Sequence, residues 1–335
     1  MKKIVFLAHD PGGYDVLFTV VQRMQQESVP LEFYCIGPAA KLNPINAASE
    51  SRVVQTIQSM LLENKLLGLV TGTSWSNKLE LKVIAACKEA RIPTISILDY
   101  WSNYQARFKD DLGNFIYPDT YIVMDELAAK EAIQEGVPSN ILKVLGHPGL
   151  DKYIALQRRK TTSIGNKKKI LFLSQPLSAL YGKELGYTEQ QALEDCILAV
   201  QGNDDYSLSA KFHPKDNANW QRSYADISVD GALFDIMTEY DLIIGMNTMG
   251  LLHAVLMGIP AISYQPNLEK PDLCITTKLG FTRLIRSYQE LKFILNTHIG
   301  GDSKNICLPK SFIWLDGHST DRVAGFIREV LLNEY

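Results

Sequence analysis

Residues 241–264, DLIIGMNTMGLLHAVLMGIPAISY, decide the reading of this chain. Leu242, Ile243 and Ile244 form a short, continuously apolar run, the pattern of a strand covered on both faces of a parallel sheet. Gly245 lets the chain turn, and Asn247 and Thr248 stand where a helix N-cap belongs, with Met249 opening the helix. Such a helix start presents free backbone N–H groups and the positive end of the dipole, a ready site for a phosphate. Gly258-Ile259-Pro260 closes the helix, and Ala261-Ile262-Ser263-Tyr264 begins another buried strand.

Upstream, Ala210-Lys211-Phe212-His213-Pro214-Lys215 reads as a strand that delivers a histidine to its end, with lysines beside it. Ligands of open α/β sheets collect beyond the carboxyl ends of the strands. His213, Pro214 and Lys211 are therefore expected to face the same crevice as Asn247, Thr248 and Met249 and to bind the phosphate of a nucleotide. Gln175 and Ser178 follow the apolar run 170–173, and Tyr264-Gln265-Pro266-Asn267 follows the run 261–264. Gln175 and Tyr264 are thus expected to contact the base or sugar.

The same rhythm extends outward in both directions. Strand patterns at 4–8, 31–36, 67–71, 94–98, 120–124 and 144–145 alternate with helical patterns at 16–26, 78–90 and 125–133. After residue 169 the strands 170–173 and 206–212 alternate with helices 189–200 and 232–240. This alternation predicts a doubly wound α/β fold with two Rossmann-like domains. The expected division is 1–157 for the first domain and 170–318 for the nucleotide-binding domain, with a helix at 319–335 packing back on the first. The polar segment 158–169, RRKTTSIGNKKK, carries no apolar period and reads as the linker.

With 335 residues, 46% hydrophobic and 21% charged, the chain is long enough for two well-cored domains and is not a disordered polymer. A formal net charge of −3 offers no footprint for nucleic acid. The five cysteines are scattered without a CxxC pair, as small core residues of a reducing compartment would be, and no metal site is expected. The apolar run after Met1-Lys2-Lys3 stops at His9-Asp10-Pro11, too short for a signal peptide, so a cytoplasmic location is expected. Peripheral membrane contact stays open.

Two acids stand out in the first half. Asp10, in the turn His9-Asp10-Pro11-Gly12-Gly13 after the first strand, is the first candidate for a general base, with N-capping as its simpler role. Gly12 and Gly13 would let backbone approach an acceptor or sugar. Asp99 is the competing base, ending another strand before Tyr100-Trp101-Ser102-Asn103-Tyr104. Trp101 could stack on a sugar, or this aromatic run could simply pack a wall; Arg107 could pair with a substrate carboxylate.

Two domains facing across a cleft, with a nucleotide site in the second, resemble the GT-B glycosyltransferases. His213-Pro214 together with residues 240–248, YDLIIGMNT, is similar to the HP and hydroxyl motifs of bacterial sialyltransferases, polysialyltransferases and CDP-glycerol polymer transferases, where such residues hold the nucleotide phosphate. Val144-Leu145-Gly146-His147-Pro148 resembles the segment closing the first domain in many GT-B enzymes, which makes His147 a structural residue. Related UDP-sugar enzymes carry a ribose-binding glutamate where this chain has His253, and this tilts the donor toward a cytidine-linked sugar. The resemblance implies an inverting, metal-independent glycosyltransferase without a cofactor, passing a sugar such as a CMP-nonulosonic acid to a glycan, lipid or protein acceptor.

The first domain also resembles the nonhydrolysing UDP-N-acetylglucosamine 2-epimerases, through residues 69–74, LVTGTS, and 92–99, IPTISILD. Those enzymes place an acid in the first of these turns, where this chain has Thr71, Gly72, Thr73 and Ser74. A 2-epimerase or hydrolase of that type is the alternative expectation, and a noncatalytic nucleotide-sugar-binding protein a second.

Overall fold

The computed structural model describes residues 1–74, 77–156, 167–298 and 312–332. The chain forms two compact units, Met1–Ile154 with Lys310–Tyr335, and Ala155–Pro309.

The first unit is built on a sheet of six parallel strands: β1 (Lys3–Ala8), β2 (Leu31–Cys35), β3 (Leu66–Thr71), β4 (Thr94–Ile97), β5 (Thr120–Val123) and β6 (Leu142–Val144). Their order is β2-β1-β3-β4-β5-β6. Alternate residues of β1 feed opposite faces, as a pleated strand requires. Ile4, Phe6 and Ala8 pack with Val16, Leu17, Val20 and Met24 of helix Pro11–Gln26 and with Val323, Ile327 and Leu331 of helix Ser319–Leu332. Val5 and Leu7 pack instead with Val53 and Ile57 of helix Glu50–Leu62 and with Val83, Ile84 and Cys87 of helix Leu79–Glu89.

The last segment of the first unit begins before the expected boundary at 319. Trp314 is fully buried, donates from Nε1 to Asp125 Oδ2 at 3.0 Å and meets the edge of Trp101 at 5.6 Å between centroids. An indole committed to Asp125 in this way ties residues 312–318 to the first unit rather than to the second. The expected linker 158–169 lies outside the described residues as far as 166.

The second unit carries a sheet of five parallel strands, β7 (Lys168–Leu173), β8 (Tyr206–Lys211), β9 (Leu242–Gly245), β10 (Ala261–Tyr264) and β11 (Arg283–Ile285), in the order β11-β10-β9-β7-β8. Both β9 and β10 are buried along their whole length, which is why their sequences run apolar without alternation. Helix Glu189–Val200 starts at Thr188, whose side chain accepts from Gln191 N–H, and buries Leu193 and Cys196 against β7 and β8. The helical pattern at 232–240 is realised as a short α-helix, Leu233–Ile236, followed by a 3-10 turn, Met237–Glu239.

Candidate functional site

In the first sheet the strand order reverses between β1 and β3, and a crevice opens at the carboxyl ends of strands on such a switch point. The candidate acids come together there. His9 Nδ1 lies 2.7 Å from Asp10 Oδ1 and 3.2 Å from Ser74 Oγ. Asp99, beyond β4, pairs through Oδ1 with Arg107 Nη1 at 2.7 Å. That guanidinium also donates to the carbonyl and hydroxyl oxygens of Thr73, and its Nε donates to the Ser102 carbonyl. His147 Nε2 lies 3.0 Å from the Asp99 carbonyl oxygen and so carries the proton of that bond, which fixes the base of the loop.

Three expectations are corrected by this geometry. Arg107 is 6% exposed, with Nη1 donating to Asp99 and Thr73 and Nε to Ser102, so it presents no free two-nitrogen fork to a substrate carboxylate. Burial acts to lower its pKa, but the ion pair with Asp99 outweighs that and holds the charge. Trp101 is 4% exposed, stacks on His147 at 5.9 Å and donates to Asp125 Oδ2 at 2.9 Å, leaving no ring face for a sugar. Gly12 and Gly13 make room for the protein itself. A Cβ at Gly12 would collide with the Asp99 carboxylate, 2.8 Å from its Cγ, and a Cβ at Gly13 would lie 3.3 Å from Gly72 Cα. Asp99 therefore sits against the start of helix Pro11–Gln26, where backbone N–H groups favour an anion. Asp10 stands at the N-cap position of that helix but makes no side-chain capping bond, so its carboxylate is not consumed by the simpler role.

Sequence reasoning missed Glu80. It lies in the first turn of helix Leu79–Glu89, 2% exposed, with Oε2 accepting from Ser74 N–H at 2.7 Å and Oε1 buried without a partner. Burial, reinforced by Asp10 and Asp99, pushes its carboxyl up to about 8. The available signal was its place one helical turn before Val83 and Ile84, on the stripe that faces the sheet.

In the second sheet the order reverses between β7 and β9. Gln175, just beyond β7, accepts from Asn247 N–H, just beyond β9, at 2.9 Å through Oε1. Thr248 caps helix Met249–Leu256 by accepting from Gly250 N–H at 3.2 Å, and Met249 is the half-buried first helical residue. Gly250 packs so tightly that a Cβ there would press on Leu233 as well as Leu173.

His213 follows β8, the strand on the other side of β7. Its backbone N–H donates to Asp216 Oδ2 at 2.7 Å, while its Nδ1 accepts from Lys215 N–H at 3.1 Å. A backbone N–H can only donate, so the neutral ring must carry its proton on Nε2. Burial lowers the imidazole pKa, which favours this neutral, Nε2–H form. Pro214 is exposed, and Lys211 is half-buried at the strand end, in register with Leu173. Tyr264 corrects another expectation. It is fully buried and its hydroxyl donates to Asp195 Oδ2 at 2.5 Å, so it is a core residue that reaches neither base nor sugar.

Among the described residues, no group of three His, Cys, Asp or Glu side chains is arranged to hold a metal ion, and no helix is long and apolar enough to cross a membrane.

No protein-family model and no curated protein matches the sequence. Solved structures do match along the whole chain. A candidate UDP-N-acetylglucosamine 2-epimerase from Listeria monocytogenes superposes with a TM-score of 0.71 at 14% identity, covering 100% of this chain and 98% of its own. The UDP-GlcNAc 2-epimerase from Neisseria meningitidis, bound to UDP-GlcNAc, gives 0.67 at 12%, covering 99% and 100%. The enzyme of that name from Methanocaldococcus jannaschii gives 0.66 at 12%, covering 97% and 99%. At this identity the likeness establishes the fold: two α/β units of the GT-B-like kind. It also corrects the expected activity. These structures are named as UDP-GlcNAc 2-epimerases, so the likeness runs against a glycosyltransferase with a cytidine-linked donor and with the alternative reading.

Proposed function

We propose that the protein acts on a uridine-linked nucleotide sugar as a 2-epimerase or a hydrolase of the UDP-GlcNAc 2-epimerase type. The observation that carries this reading is the pair of carboxylates Asp10 and Asp99, gathered at the switch point of the first sheet beside the 71–74 turn. The absence of an acid from that turn counted against carbon-acid chemistry; acids delivered from β1 and β4 to its edge remove the objection.

The chemistry asked of these groups is limited. A carboxylate takes the proton from C2 of the sugar, the C–H electrons form a C1–C2 double bond, and the C1–O bond to the nucleotide breaks. The departing diphosphate carries the charge, and within the second unit the groups suited to hold a phosphate are the His213 Nε2–H and the backbone N–H groups at the Thr248 helix start. Return of a proton to the other face of C2, with re-addition of the diphosphate, gives the epimer. Escape of the diphosphate before re-addition leaves the unsaturated sugar, and protonation at C2 with addition of water at C1 then gives the free sugar and UDP, the hydrolytic outcome. Gln175 and Asn247 fix the loop beyond β7 and β9, and Lys211 adds positive charge near the phosphate.

Acceptor-free incubation with UDP-GlcNAc, followed by proton NMR, tests the reading. Conversion at C2 or release of UDP, lost in Asp10→Asn while the melting temperature is kept, is the expected result. An inert substrate, or turnover indifferent to Asp10→Asn, contradicts it.

A further inference from the structure

Glu80 is not needed as a proton-transfer group in the chemistry above, yet it occupies an unusual place. Its carboxyl is buried at the end of helix Leu79–Glu89 that faces the 71–74 turn. One oxygen holds Ser74 N–H at 2.7 Å; the other, Oε1, has no partner and abuts the close backbone crossing of Gly13 and Gly72, where a Cβ at Gly72 would lie 3.3 Å from it. From Ser74 a chain of contacts continues to the active carboxylate: Ser74 Oγ to His9 Nδ1 at 3.2 Å, and His9 Nδ1 to Asp10 Oδ1 at 2.7 Å.

The charges acting on Glu80 are Asp10, which follows β1, Asp99, which follows β4, and Arg107, from the 3-10 turn Ala106–Phe108; Ser74, in the turn after β3, supplies its backbone N–H donor. The single guanidinium is already paired with Asp99. Asp10 and Asp99 are half-buried, whereas Glu80 is fully buried with no cation of its own, and an unpaired buried charge is costly, so the group keeps its proton instead. The unpartnered Oε1 is where that proton resides, because Oε2 is the acceptor for Ser74.

We propose that Glu80 is a protonated positioning residue, whose neutral carboxyl pins the 71–74 turn through Ser74 and thereby holds His9 on Asp10. This rests on the reading of Asp10 as a proton-transfer group. Ionisation places a charge in a slot lined by glycine backbone, beside two like charges, and loosens the turn that aims Asp10. The raised value of about 8 puts that event at mildly basic pH.

The experiment compares the wild type with Glu80→Gln and Glu80→Leu. Glutamine keeps the shape and an acceptor for Ser74 N–H without the ionisation; leucine keeps burial and removes the acceptor. In the wild type, turnover of UDP-GlcNAc should fall about tenfold per pH unit above the limb near 8. Glu80→Gln should rescue neutral-pH turnover and lack this limb, while Glu80→Leu should lose turnover with KM little changed. A folded but inactive Glu80→Gln overturns the proposal and makes Glu80 itself the proton donor; an active Glu80→Gln that retains the limb also overturns it. A second measurement does not depend on any substrate: carbon-13 NMR of the side-chain carboxyls, with the Glu80 signal assigned by its absence in Glu80→Gln. A neutral carboxyl at pH 7 is expected, and an ionised one refutes the proposal even if UDP-GlcNAc proves not to be the substrate.

Discussion

Replacing Gly12 by alanine tests whether the first glycine pair serves the protein or a ligand. The new Cβ would overlap Asp99 Oδ2 and lie 2.8 Å from its Cγ. Asp99 cannot swing away freely, because its side chain is 16% exposed and its Oδ1 is held by an Arg107 that is itself 6% exposed. Displacing it leaves a buried guanidinium short of its counterion, and breaking a buried pair costs about 3–5 kcal/mol. Alanine in a helix is better than glycine by about 0.5–1 kcal/mol, which offsets part of this. The net loss is about 2–4 kcal/mol, or roughly 4–16 °C in melting temperature at about 2–4 °C per kcal/mol for a domain of this size. The assay is a thermal melt of Gly12→Ala in two backgrounds, wild type and Asp99→Ala with Arg107→Met, where the ion pair has been replaced by apolar and small side chains. In the second background the collision is gone, and Gly12→Ala should be neutral or slightly stabilising. An equal loss in both backgrounds, or no loss in either, would refute the packing argument and return Gly12 to the role of a ligand contact.

Other outcomes follow from the same geometry. A ligand at a hundred times its dissociation constant adds about 2.7 kcal/mol of apparent stability, so UDP should raise the melting temperature measurably; His213→Ala should abolish that rise, and an unchanged shift would remove His213 from the phosphate site. Stability should also depend on pH through Glu80. Its carboxyl is raised from 4.5 to about 8, so the folded state holds a proton that the unfolded chain releases. The contribution is complete below about pH 4.5 and is lost as pH rises toward 8. At 1.36 kcal/mol per unit it amounts to at most about 5 kcal/mol. Denaturant melts across this range should show the decline in the wild type and a flatter profile in Glu80→Gln; identical profiles would exclude a raised Glu80.

Much of the fold could be read from apolar runs. The segment 241–264 resolves into β9, helix Met249–Leu256 and β10 because both strands are buried on each face and the helix has a threonine cap and a terminating glycine. The positions of Asp10, Asp99 and His213 beyond strand ends were legible for a related reason, because the apolar runs mark where each strand stops. What failed was the state of side chains beyond those ends. Arg107 and Trp101 look like substrate contacts in sequence, but burial and the partners Asp99 and Asp125, far apart in the chain, commit them to the protein. Helix Pro11–Gln26 starts before the expected residue 16, because Pro11 at the first position and two glycines read as a turn while also fitting a helix start packed on backbone. Glu80 was hidden by its charge, since a glutamate in a first helical turn ordinarily favours solvent and the dipole.

The most direct test of acid–base chemistry at C2 is hydrogen exchange. The protein is incubated with UDP-GlcNAc in deuterium oxide, without an acceptor, and the recovered sugars are examined by NMR and mass spectrometry. Deuterium at C2 of the nucleotide sugar, of its epimer or of the released sugar is the result expected here. Recovery of unlabelled UDP-GlcNAc from a folded protein that binds UDP would contradict it.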